Sequence, residues 1–140
     1  MNRLLTLVVL YSFWSITLPG QNASWNMDLL GEWSDPSLPY YNGIIYNDIW
    51  GYTDENGNEF AIIGSAEKVH FIDITDPSSI VEVDNFTGGN NSSSIWRDIK
   101  TYGKYAYSVA DQWSEGLMIF DMGDLPASVT KVSQSTAFFN

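Results

Sequence analysis

Two stretches of this 140-residue chain carry one pattern, and that repetition limits the fold more than any other feature. "YNDIWGY" (46–52) is answered by "WRDIKTY" (96–102), so Asp48-Ile49 matches Asp98-Ile99 and Tyr52 matches Tyr102 at a spacing of 50. "FAIIGS" is answered by "YAYSVA". "VHFIDITDP" is answered by "LMIFDMGDLP", which pairs Asp73 with Asp121 and Asp76 with Asp124 at a spacing of 48. Each copy holds four short β-rich runs: 43–52, 59–65, 69–74 and 80–86, then 94–102, 105–110, 117–122 and 128–132. Between them lie "TDENGN", "SAEK", "TDPSS", "TGGNNSS", "GK", "DQWSEG" and "GDLPA", all rich in residues that suit tight turns. No window after residue 20 shows a capped helical stripe.

Four short strands per repeat of roughly 40–50 residues is the signature of a β-propeller blade. A lone four-stranded sheet has two faces to cover, and stacking such sheets buries both. The fold class expected is therefore all-β and β-propeller-like, with two four-stranded blade units. The division expected is 1–20 signal peptide, 21–40 lead-in segment, 41–89 first blade-like repeat and 90–140 second blade-like repeat. Two blades do not close a ring of roughly 4–8, so further blades are expected in a longer, full-length chain, of which this would be an N-terminal fragment.

The signal-peptide expectation rests on Arg3, the uncharged apolar run Leu4–Leu18, and the small or turn-forming residues that follow. The run is short for a membrane span, which needs roughly 20 apolar residues. Cleavage near Gly20 leaves no direct membrane insertion; a retained anchor is the alternative. The chain has 6 basic and 17 acidic residues, a formal net charge of -11. That argues against nucleic acid and against an anionic membrane surface as partners, since both require a basic patch. It also has no Cys, hence no disulfide and no thiolate chemistry. Secretion without Cys fits a Gram-negative periplasm or outer surface better than a disulfide-stapled module.

The set "YNDIWGY…EFAIIGS…VHFIDITDP…SIWRDIKTYGKYAYSVAD…EGLMIFDMGDLP" closely resembles the secreted LVIVD-repeat proteins of the choice-of-anchor B family, over about residues 28–132. The resemblance implies a bacterial signal peptide, a propeller-like array, and a variable C-terminal region that attaches the protein at the cell surface. It carries over no catalytic residue.

Candidate site residues divide by whether they repeat. Asp48 and Asp98 recur, as do Asp73 with Asp121 and Asp76 with Asp124. Repetition favours a structural role, in which the carboxylate accepts backbone N–H bonds and fixes the blade. On that reading, replacing Asp98 lowers thermal stability. The alternative is a channel-facing position that binds a cation or a sugar. Arg97 has no counterpart, since Asn47 stands there in the first copy. It is read either as bridging a carboxylate or as contacting an anionic ligand. Trp113, in the loop "DQWSEG", is read either as packing or as stacking on a glycan.

No cofactor and no metal site is expected. "DENGNE" (54–59) begins like a calcium loop, but Glu59 and Ser65 stand where an EF-hand has Gly and Glu. Asn56-Gly57 reads as a two-residue hairpin turn with both residues at positive φ, and weak calcium binding stays open. His70 is the single His, so zinc and Ser–His chemistry would both rest on it; "GSA" around Ser65 lacks the G-x-S-x-G elbow. The function expected is a non-enzymatic interaction or scaffold module, secreted or at the cell surface, with an extracellular protein or glycan as partner. The alternative is an extracellular hydrolase or lyase, acting in the propeller channel or in further blades.

Overall fold

The computed structural model describes residues 27–88, 96–111 and 115–136. The signal segment 1–20, residues 21–26 of the lead-in and Trp113 lie outside the described residues. Eight strands follow one another: β1 (Tyr46–Thr53), β2 (Glu59–Ser65), β3 (Lys68–Asp73), β4 (Val81–Thr87), β5 (Arg97–Tyr102), β6 (Tyr105–Ala110), β7 (Leu117–Asp121) and β8 (Thr130–Ser135). They form two four-stranded sheets, β1-β2-β3-β4 and β5-β6-β7-β8, with every neighbouring pair antiparallel. The all-β, blade-like organisation read from the repeat is the one observed. Among the described residues there is no helix, and none long and apolar enough to cross a membrane.

Strand limits differ from the apolar runs where a turn competes. β1 starts at Tyr46, not Gly43, because Asn42 (φ 51°) and Gly43 (φ 80°) close a tight turn bridged by Tyr41 and Ile44. β8 starts at Thr130, because the N–H groups of Ala127 and Ser128 both donate to the Asp124 carbonyl. The hairpin at Asn56-Gly57 also differs from expectation. Only Gly57 has positive φ (86°), and Asp54 pairs with Asn58 across a three-residue loop. That is a type I turn with a glycine bulge. The Asp54 carboxylate decides it, accepting the N–H groups of Asn56 (2.8 Å) and Asn58 (2.9 Å). At "GK", Gly103 alone takes positive φ (56°) at the first loop position, as a type II′ hairpin requires.

The core lies between the two sheets. Alternate residues of β2 and β3 (Phe60, Ile62, Val69, Phe71) point at alternate residues of β5 to β7 (Ile99, Ala106, Met118, Phe120), all essentially without exposed surface. Phe71, Phe86 and Phe120 meet with centroids 5.1–5.9 Å apart in tilted and edge-on pairs. Each such pair adds about 0.5–1.5 kcal/mol beyond area burial. The far face of the first sheet is covered by the lead-in: Trp33 meets His70 and Tyr46, the Asp35 N–H donates to the Tyr46 hydroxyl (2.7 Å), and Leu38 is buried.

Four polar side chains of the first sheet reach backbone or side chains of the second unit. Asn47 Oδ1 accepts the Arg97 N–H (2.9 Å) and Asp48 Oδ2 accepts the Ile99 N–H (2.6 Å). Trp50 Nε1 donates to Thr101 Oγ1 (3.0 Å), and Asp84 Oδ2 accepts the Val129 N–H (2.8 Å). Asp48 is aimed by a bulge: it has no partner in β2, and its φ is 56°, a conformation Asp tolerates better than most residues. Asp98 stands instead in regular pairing with Val109; its side chain is 63% exposed and paired with Lys100 (2.5 Å). The expected loss of stability on replacing Asp98 is therefore transferred to Asp48. Asp48→Ala lowers stability by about 1–3 kcal/mol through the orphaned Ile99 N–H. Asp98→Ala stays within about 0.5 kcal/mol of the parent. Urea denaturation of the two variants checks both.

Candidate functional site

The chemistry-bearing side chains gather in two adjoining clusters in the first sheet and where the two units meet. The first cluster spans three strands. Ser65 ends β2, His70 lies in β3 and Glu82 in β4. The β2–β3 hairpin pairs Gly64 with Val69, and β3–β4 pairs Ile72 with Glu82 beside a bulge. As a result Ser65 Oγ stands 2.9 Å from His70 Nε2, and His70 Nδ1 stands 2.7 Å from Glu82 Oε1. The carboxylate only accepts, so Nδ1 carries the proton and Nε2 accepts from the Ser65 hydroxyl. Ser65 Oγ also accepts the Lys68 N–H (3.1 Å), which ties the array to its own hairpin.

This is the hydrogen-bond order of a Ser–His–acid relay, and the sequence reading did not assemble it. The signal was present in the tight hairpin "SAEK", which brings residues 65 and 70 to adjacent strands. Its burial, however, is that of a core network. Ser65 is 1% exposed and His70 0%. A neighbouring cavity of about 420 Å³ is lined by Trp33, Tyr46, Asp48, Ile49 and Ile63, and reaches neither Ser65 nor His70. Burial lowers the His70 pKa, and the hydrogen bond and charge of Glu82 only partly oppose this.

The second cluster centres on Arg97. Its guanidinium is bidentate to Glu115, through Nη1 to Oε1 and Nη2 to Oε2 (3.0 Å), and Nε donates to the Ser65 carbonyl (2.8 Å). The side chain has no exposed surface and Glu115 has 3%. Of the two readings open for Arg97, the carboxylate bridge is present, and the guanidinium that makes it is buried. Arg97 crosses directly over Gly64, where a Cβ would stand 3.1 Å from Arg97 Cδ and 2.5 Å from the Asn47 carbonyl oxygen. Gly88 makes the same allowance for Glu115, whose carboxylate occupies the place a Cβ would need.

The remaining predicted positions lie at turns. Asp73 Oδ1 accepts the Thr75 N–H, Asp76 Oδ1 accepts the Ser78 N–H and hydroxyl, and Asp121 Oδ1 accepts the Gly123 N–H. Lys104 donates to Asp121 Oδ2 (2.8 Å); that bond and the Gly123 N–H hold the Asp121 carboxyl below its ordinary pKa. Asp124 takes part through its main-chain carbonyl.

The LVIVD repeat family model matches residues 57–88 and 95–135, together more than half of the chain. The chain belongs to the LVIVD repeat family. The first matched segment holds β2 to β4 and the second holds all four strands of the second sheet. No curated protein and no solved structure matches the chain. Setting one LVIVD unit on the other by strand register shows what is individual to each. Ser65, His70 and Glu82 of the first unit correspond to Ala110, Met118 and Lys131 of the second. The relay is thus a feature of one repeat, whereas the bulge between the third and fourth strands occurs in both.

Two outcomes follow from these clusters. Arg97→Ala destabilises by about 3–5 kcal/mol, because Glu115 is left buried and unpaired, while the double variant Arg97→Met, Glu115→Leu recovers most of that loss. A double-mutant cycle in urea measures it. For His70 the folded pKa lies below its unfolded value of 6.5. The unfolded chain therefore takes up the proton first, so stability is full above about pH 6.5 and declines as pH falls towards the folded pKa. His70→Gln removes that part of the pH dependence between pH 7 and 5.

Proposed function

We propose that this LVIVD repeat protein is a non-enzymatic scaffold of the choice-of-anchor B type, exported and displayed at the bacterial cell surface. One observation carries the non-enzymatic reading: Ser65, His70 and Arg97, the groups best suited to nucleophilic or anion chemistry, are sealed in the interior. They are spent on holding three strands and two sheets together. Export is supported by the charged-then-apolar residues 3–18 and by the absence of Cys. The strongly acidic surface suits a partner that offers cations or neutral polar groups, such as an extracellular protein or a glycan, with Trp113 as the aromatic to test.

The hydrolase alternative has one specific observation behind it, the Ser65–His70–Glu82 relay, and one experiment separates the two. The full chain is produced with its N-terminus intact in a bacterial host, fractionated, and treated with a fluorophosphonate probe. The scaffold reading gives protein outside the cytoplasm, shortened near Gly20 by mass spectrometry, with no adduct. A covalent adduct on Ser65 that is lost in Ser65→Ala would establish the hydrolase instead. Protein that stays cytoplasmic and unprocessed would overturn export.

A further inference from the structure

The lead-in is fixed to the first unit at several points, yet it does not close the surface completely. Its backbone runs tight against the β3–β4 connection, where a Cβ on Gly31 would stand 2.2 Å from the Pro77 carbonyl oxygen. Trp33 packs on His70, the Asp35 N–H donates to the Tyr46 hydroxyl, and Leu38 is buried. Between this segment and β1 opens the cavity of about 420 Å³ lined by Trp33, Tyr46, Asp48, Ile49 and Ile63. Small-molecule sites have volumes of about 300–1,000 Å³.

The lining has a definite chemistry. Trp33 and Tyr46 stand with ring centroids 5.7 Å apart and planes inclined at 53°, which forms two walls of a cage. Ile49, beside the bulge and 62% exposed, and Ile63 add apolar walls. Asp48 is the one charged residue in this lining. Its Oδ2 accepts the Ile99 N–H, and none of the ion pairs among the described residues includes it. Aromatic ring faces attract cations, the indole most strongly. Elsewhere the chain supplies that cation itself: Lys100 Nζ lies 4.3 Å from the Trp50 ring centroid, and Lys104 Nζ 5.3 Å from that of Tyr105. Among the described residues no Lys or Arg stands over Trp33 or Tyr46.

We propose that this cavity binds a small organic cation with a methylated ammonium group, of the choline kind, held against Trp33 and Tyr46 with its charge towards the Asp48 carboxylate. An anion is opposed by Asp48 and by the net charge of -11. A sugar asks for several hydrogen-bond partners, and the lining offers chiefly one carboxylate, the Tyr46 hydroxyl already accepting from Asp35. A primary ammonium is strongly hydrated and would leave N–H donors unpaired against Ile49 and Ile63. Methyl groups remove those donors and put apolar surface against the two isoleucines. The site goes beyond the scaffold reading and does not depend on export. It gives Asp48 a second use: Oδ2 orders the junction, and the charge of the same carboxylate serves the ligand.

The test is calorimetric titration of the full chain with choline, with phosphocholine, and with dimethylbutanol, the uncharged isostere of choline in which carbon replaces nitrogen. Choline is expected to bind saturably, in the millimolar range or tighter, and dimethylbutanol about tenfold more weakly. Phosphocholine binds more weakly than choline, because its phosphate meets Asp48. Asp48→Asn keeps an oxygen for the Ile99 N–H and tolerates the positive φ. It weakens choline about fivefold while the urea midpoint stays close to that of the parent. Trp33→Leu weakens choline about tenfold and changes dimethylbutanol little; where that variant loosens the lead-in, Asp48→Asn decides. The proposal is overturned by the absence of saturable choline binding, or by equal affinity for dimethylbutanol, which would leave an apolar cavity only. Choline binding unchanged in both variants overturns it too, by placing the site elsewhere, as does tighter binding of phosphocholine, which would assign the cavity to a phosphate-bearing headgroup.

Discussion

The edge of β5 would be a liability without Asn47 and Asp48. A terminal strand offers a row of unpaired donors to any passing strand. Here the Arg97 and Ile99 N–H groups, two residues apart and directed away from β6, are taken by an amide and a carboxylate from β1. Two side chains thus do what a fifth strand would do, without fusing the sheets into one. Everything at the junction depends on that placement. It brings Arg97 over Gly64, Thr101 under the Trp50 indole and Phe120 against Phe71 and Phe86. The bulge at Asp48 is the local irregularity that aims the carboxylate, so the repeat spends one strained residue to order a whole interface.

Buried charge sharpens the same junction. Arg97 and Glu115 lose their hydration and regain it as paired hydrogen bonds, with the Ser65 carbonyl as a third acceptor. Such a pair adds little net stability over an apolar one, but it tolerates only one geometry. Register between the units is therefore set by polar contacts, while the aromatic cluster supplies the adhesion.

Most of the fold was legible in the sequence because both signals are local. Alternation and turn chemistry located the eight strands, and β2 and β6 fall where the apolar runs end. The recurring aspartates that end the third strand of each unit, Asp73 and Asp121, are also local: each closes a turn on a residue two positions ahead. What escaped is non-local or depends on register. Nothing near Asp48 announces that its acceptor serves a residue 51 positions away. The Asp98 copy looked the same in sequence, yet lies in regular pairing and in solvent. Ser65, His70 and Glu82 come together only once β2, β3 and β4 are in register. Asn56-Gly57 invited the commoner two-residue turn, and the Asp54 carboxylate changed it.

The direction of the hydrogen bonds across the junction has a consequence for how such arrays diverge. At Arg97 and Ile99 the receiving unit contributes only main chain, while the specifying atoms belong to Asn47 and Asp48 of the unit before it. Any residue except proline offers the same N–H. The entering strand is thus free to change its side chains without loosening its hold, and drift is penalised chiefly on one side of each seam. Arg97, which stands where the preceding copy has Asn47, is an example: its N–H bond asks nothing of its side chain, which is free to pair with Glu115.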